Sequence, residues 1–129
     1  MSLITTTTYT GASGTVYDFD VFDLGTRFNT VSGVYILSIR TGSTLLTQNF
    51  AALYVGETGD LKDRLNSNPE NHEGYKRSAS AGMTHIGVHR CSKHSTRLQI
   101  ETDLRHALDP ICNRQPVPSR RPSLLFSNI

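Results

Sequence analysis

The chain has 129 residues, 36% of them hydrophobic, enough for one modest core and one domain. Its apolar runs, such as residues 34–37 and 124–126, are only a few residues long and fall far short of the roughly 20 that a membrane-spanning helix needs. The formal net charge of +2 is unevenly spread: residues 1–60 carry two basic and five acidic side chains, residues 61–129 eleven basic and six acidic, so a polyanion would meet the second half.

Residues 1–14 are threonine-rich and lack the basic and apolar regions of a secretory signal, so a cytoplasmic protein is expected. Residues 5–14 have turn formers and no apolar period and read as a loose arm. From Tyr17 the pattern alternates, with Tyr17, Phe19 and Val21 on one face and Asp18, Asp20 and Phe22 mostly on the other, as in a half-buried leading strand. Asp18 and Asp20 read as acids on its wet face rather than as a metal pair.

Residues 34–39 are β-branched and aromatic, begin after Gly33 and run into the turn-rich residues 41–44. Residues 53–55 form a second apolar run ending at Gly56, so an antiparallel hairpin with a long connection is expected. Residues 60–65 favour a helix, with Thr58 or Asp60 as its cap. Residues 66–82, with Pro69, Gly74 and Gly82, read mainly as an exposed loop.

Residues 83–90 alternate again and predict a third strand. His85 and His89 have the i, i+4 spacing of helical zinc ligands, but on a strand they stand too far apart to chelate easily. Residues 95–108 form the clearest helix, with Ser95 as candidate cap and Asp109-Pro110 as stop. Its expected apolar stripe is Leu98, Ile100, Leu104, Ala107 and Leu108, with Glu101 inside the arc. Cys91 and Cys112 have no CxxC spacing and are expected as free structural thiols.

Gly33-Val34-Tyr35 and Tyr54-Val55-Gly56, with their tyrosines nineteen positions apart, are followed in order by Arg64, Glu101 and, after Pro110, Asn113. This series resembles the GIY-YIG nucleases over about residues 31–115. The resemblance implies a small α/β domain with a central, mainly antiparallel three-stranded sheet flanked by helices. It divides the chain into an N-terminal arm and leading strand (1–30), the nuclease domain (31–115) and a basic, apolar tail (116–129). The implied activity is endonucleolytic hydrolysis of nucleic acid, DNA first, with Tyr35 as base or water-orienting group.

The residue types suit that chemistry. Hydrolysis of a phosphodiester needs an activated water, positive charge on the transition state and a cation on the phosphate. A carboxylate facing a core is costly unless paired or metal-bound, and carboxylate oxygens suit Mg²⁺ or Mn²⁺, so Glu101 is the candidate metal ligand. An ion pair with Arg64 or Arg105 is the alternative. Arg64 offers a permanently charged planar fork to the phosphate. Tyr35 has an ordinary pKa of about 10 and needs a nearby cation to act as a base. Tyr54 would position water or phosphate, His72 would assist proton transfer, Asn113 would brace the site, and Gly56 would admit the phosphate closely. Lys76, Arg77, Arg90, Lys93, Arg97, Arg105 and Arg114 are candidate backbone contacts, each alternatively a solvated charge.

Relatives often carry Lys or Gln after the YIG motif, where this chain has Glu57. That departure leaves room for a second class, a nucleic-acid-binding module without turnover. A third is an interaction protein, of a phage or mobile element, docking on a protein partner through the tail at residues 119–126. No zinc finger, helix-turn-helix or second domain is present to read bases, so low intrinsic sequence specificity is expected.

Overall fold

A computed structural model describes residues 3–42 and 49–113. Five strands form one wholly antiparallel sheet: β1 (Leu3–Thr10), β2 (Val16–Asp23), β3 (Gly33–Thr41), β4 (Asn49–Thr58) and β5 (His85–Arg90), in the spatial order β1-β2-β5-β3-β4. Two helices, α1 (Glu73–Ser80) and α2 (His94–Leu108), complete a small α/β domain. No helix among the described residues is long and apolar enough to cross a membrane.

The sheet has five strands rather than three, and residues expected to be a loose arm supply one of them. Thr5 to Thr10 pair with Val21 to Val16. Threonine is β-branched and fits a pleated surface without an apolar partner, which is why an edge strand of threonines shows no hydrophobic period. The turn between β1 and β2 is tied to α2 through Asp103. Its carboxylate accepts from the Ser13 N–H (2.8 Å), the Ser13 hydroxyl (2.6 Å) and the Tyr17 hydroxyl (2.8 Å).

β3 lies between β5 and β4, and residues 33–38 are all buried, as a strand covered on both faces must be. On one face Val34, Ile36, Val55, Phe19 and Tyr9 pack against Ile100 and Leu104 of α2. On the other, Tyr35, Leu37, Ile86 and Val88 pack with Phe28, Leu61, Leu65 and Cys112. Both cysteines are free thiols, as expected.

The helix expected at 60–65 is a short turn widened to π geometry over Lys62–Ser67, entered through an Asp60 carboxylate that accepts the Asp63 N–H at 3.1 Å. The stretch read as a loop at 66–82 contains α1. His72 caps that helix by accepting the Tyr75 N–H at its Nδ1, and Gly82, with φ of +94°, ends it in the left-handed region. Gly74 lies inside the helix because the Tyr54 ring occupies the space of its missing Cβ. In α2 the expected stripe is corrected: Leu98 is 42% exposed and Ala107 exposed, while Arg97, Asp103 and Arg105 are buried beside Ile100 and Leu104. For Arg97 and Asp103 the buried charge is tolerable because Glu57, Ser13 and Tyr17 supply partners from outside the helix. Lys93, not Ser95, precedes the first turn, with no side-chain cap, and Asp109 in the left-handed region closes the last.

Candidate active site

Tyr35 is positioned by the central strand and stands opposite Gly56 of β4. Its ring and hydroxyl cross the space that a Cβ at Gly56 would fill, 2.6 Å from the Cζ and from the hydroxyl oxygen. A glycine is therefore required for the Tyr35 hydroxyl to reach out over β4. Tyr54 stacks beside it with ring centroids 6.1 Å apart. The Tyr54 ring is itself confined between Gly56 and Gly74.

The Tyr35 oxygen meets His72 Nε2 at 2.6 Å. The direction of that bond follows from the other ring nitrogen: Nδ1 accepts the Tyr75 N–H at 3.1 Å, so it carries a lone pair. The proton of the neutral ring is then on Nε2, and His72 donates to Tyr35. Burial first, then the charges of Arg64 and Arg77, push the His72 pKa down to about 4, so the ring is neutral near pH 7.

Arg64, on the π turn, faces both tyrosine hydroxyls. Burial opposes its charge, and the hydrogen-bonding interactions with Tyr35 and Tyr54 more than offset that, raising its pKa. The Tyr35 oxygen thus receives the imidazole N–H of His72, and the Arg64 guanidinium acts on it as a nearby positive charge. Burial nevertheless raises the Tyr35 pKa, with Tyr54 and Glu101 acting in the same direction and Arg64 against them. In the protein alone Tyr35 is a phenol, and its own proton is directed away from His72.

Tyr54, Arg64 and His72 border a cleft of about 270 Å³ whose lining is completed by Asn71, Glu73, Gly74, Arg77 and Asn113, with the buried Tyr35 behind them. Arg77 is fixed there by donating from Nε to the Cys112 carbonyl at 2.9 Å. Asn113 does not offer its amide to the cleft: Nδ2 donates to the Val55 carbonyl (3.0 Å) and Oδ1 accepts the Val55 N–H (2.9 Å), bracing β4. Asn71, Glu73 and Gly74 were not expected at the site. The cap at His72, the acid at Glu73 in the next turn and the stop at Gly82 were the signals of the helix that carries Glu73 and Gly74, while Asn71 lies in the turn before it.

Glu101 does not line the cleft. It lies on α2, half-buried, near enough for its charge to act on Tyr35. Burial raises its pKa, Arg105 lowers it and Glu57 raises it. Glu57 is on the same side of the sheet, accepting from Arg97 Nε at 2.8 Å, with His94 3.8 Å away. Among the described residues no three His, Cys, Asp or Glu side chains stand together as a metal cage. A desolvated carboxylate beside a second acid fits a hard divalent ion that takes its other ligands from water and phosphate.

The expected phosphate contacts divide. Arg90 and Lys93 are exposed, and Lys76 is exposed and paired with Glu73 at 2.9 Å. Arg97, 6% exposed, is committed to Glu57 and to the carbonyls of Cys91 and Ser92, and Arg105 is 5% exposed. Neither arginine is on a solvated face. His85 and His89 bind Thr84 and the Asp18 carbonyl separately. Arg114 and the tail at 119–126 lie outside the described residues.

The chain matches no family model, no curated protein and no solved structure. The fold and site therefore define a class by geometry alone: an antiparallel α/β domain with a tyrosine-arginine-histidine cluster at an open cleft.

Proposed function

We propose that this protein is a metal-dependent endonuclease hydrolysing nucleic-acid phosphodiester bonds, DNA foremost, with low intrinsic sequence specificity. The observation that carries this reading is the Tyr35 oxygen, which meets the His72 N–H and feels the Arg64 charge directly behind a cleft lined by Arg64, His72 and Arg77. A donor and a nearby positive charge on one phenol oxygen favour its ionised form once the burial that opposes it is relieved. As a phenol Tyr35 orients a water with its own proton, and it would accept a proton from water only as the phenolate, after that first proton has passed to solvent. Arg64 is placed to donate to the negative charge that grows on the phosphate, and Arg77 adds a second permanent charge to the cleft. His72, neutral and fixed, keeps the phenol in position. Asn113 acts through β4 as a positioning residue for Tyr54 and Gly56.

Glu101 would hold a Mg²⁺ or Mn²⁺ ion, which supplies charge to the phosphate and acidifies bound water. Glu57 does not replace the lysine or glutamine of the resembled family, because its carboxylate is taken by Arg97 on the α2 side. A second reading, binding without turnover, is favoured by one observation, the burial of Tyr35, which holds it as a phenol. Cleavage of plasmid DNA in Mg²⁺ separates the two. Arg64→Ala is expected to fold and to lose about 100-fold or more of the rate. Near-normal turnover by the folded variant would remove Arg64 from the mechanism, and no cleavage by the wild type on duplex or single strands would leave the binding module.

A further inference from the structure

β1 is one edge of the sheet and β4 the other, with the Tyr9 hydroxyl of β1 reaching across the α2 face to donate to the Phe50 carbonyl of β4 at 2.7 Å. Natural edge strands are usually blunted by lysines, prolines or short length, because their outer row of peptide N–H and C=O groups is a template for another strand. β1 has none of these protections. Its eight residues are uncharged, the first charged residue in the chain being Asp18. Six of the eight, Ile4, the four threonines 5–8 and Thr10, are β-branched. The only irregularity is a bulge at Ile4, near one end.

Large exposed apolar side chains gather at the two ends of this same hairpin. Leu3 (52% exposed) and Ile4 (45%) stand at the start of β1, and Val16 (58%) stands beside its last residue, Thr10. We propose that β1 pairs antiparallel with β1 of a second copy, joining two chains in one ten-stranded sheet. Antiparallel self-pairing carries the Leu3–Ile4 end of one copy to the Thr10 end of the other, where Val16 stands one strand away. Both apolar ends are covered by the same operation, as an isologous twofold contact requires. Between them Thr7 faces Thr7 of the other copy across the twofold axis and Thr6 faces Thr8, and Thr–Thr cross-strand pairs are favourable.

Charge does not oppose the pairing. Asp18 and Asp20 are on β2, so the acids of the two copies are separated by three strand spacings, roughly 14 Å, beyond the screening length of ~8 Å. The twofold axis is normal to the sheet, which leaves both clefts open at the outer ends. The inference is independent of the nuclease reading.

The test is the mass of the full chain by size-exclusion chromatography with light scattering at about 100 μM, a concentration that populates any dimer with a Kd of ~10 μM or below. The expected mass is twice 14.3 kDa. Thr7→Lys, which puts a charge in the middle of the edge, is expected to give the single-chain mass with an unchanged far-UV circular dichroism spectrum. A monomeric wild type, or a Thr7→Lys variant that remains dimeric, overturns the proposal. So does a monomer that dimerises only after residues 116–129 are removed, which would assign the edge to the tail. If Thr7→Lys does not fold, hydrogen exchange of the wild type decides: protection of alternate β1 amides that falls on dilution supports the pairing, and protection independent of concentration refutes it.

Discussion

Gly56→Ala tests the construction of the site through its least conspicuous member. A Cβ at Gly56 would lie 2.6 Å from the Cζ and hydroxyl of Tyr35 and 2.8 Å from Cε1 of Tyr54. Neither ring can retreat. Tyr35 is 1% exposed and bonded to His72, and Tyr54 is already pressed against Gly74 of α1. Overpacking of this kind costs about 1–3 kcal/mol, and loss of the Tyr35–His72 bond about 1 kcal/mol more. Removing a glycine from the unfolded chain returns roughly 0.5–1 kcal/mol. The net loss is about 2 kcal/mol, or a fall in Tm of roughly 6–10 °C for a domain of this size. Gly87→Ala is the control, because its Cβ would meet Phe19 at an ordinary 3.4 Å in the same sheet. Thermal melts followed by circular dichroism compare the two. A Gly56→Ala protein as stable as Gly87→Ala would refute the claim that Gly56 exists to admit the tyrosines.

Acid should act on His72. Its pKa lies below the usual 6.5, at about 4, so the unfolded chain takes up the proton first as pH falls. Stability from this group is complete above pH 6.5 and is lost between there and pH 4, a change of about 2 kcal/mol after allowance for screening on the open side of the cleft; urea midpoints across this range should drift in the wild type and flatten in His72→Gln. Glu101→Gln is expected to abolish Mg²⁺-dependent cleavage while keeping DNA affinity, with Tm unchanged or higher because a desolvated carboxylate is gone; cleavage at near wild-type rate would dismiss Glu101 as the metal ligand. Asp103→Ala leaves the Ser13 N–H and the Ser13 and Tyr17 hydroxyls without their acceptor and should cost on the order of 3 kcal/mol in chemical denaturation, with faster exchange in the β1–β2 turn.

What was legible in the sequence depended on whether the determinant was local. β2, β3 and β5 announce themselves by alternation or by β-branched runs, and α2 by a long segment without breakers. β1 and α1 do not, because what fixes them is distant: β2 and the Asp103 staple hold a threonine strand, and the Tyr54 ring makes a glycine acceptable inside α1. The buried face of α2 was misread for the same reason. Arg97 and Asp103 go inside because Glu57, Ser13 and Tyr17 wait there, and no periodicity encodes a partner from another element. In the site, the resemblance carried by Tyr35, Tyr54 and Arg64, with His72 after them, picked out residues that do meet, and Asn113, expected to brace the site, does brace β4, though its partner Val55 is visible only in the folded chain.

That amide has a consequence for assembly. Cys112 and Asn113 occupy the outer row of β4 at Leu53 and Val55 much as another strand would, the Cys112 N–H donating to the Leu53 carbonyl at 2.8 Å. One margin of the sheet is stoppered by the segment that follows α2, while the other has no strand partner among the described residues. A sheet with a single open margin can be extended once and then terminates, because the newcomer presents a stoppered margin of its own. Concentrated protein should therefore stop at a small closed species instead of growing into fibres, and removal of the stopper, rather than any change at the open margin, is what would release polymerisation.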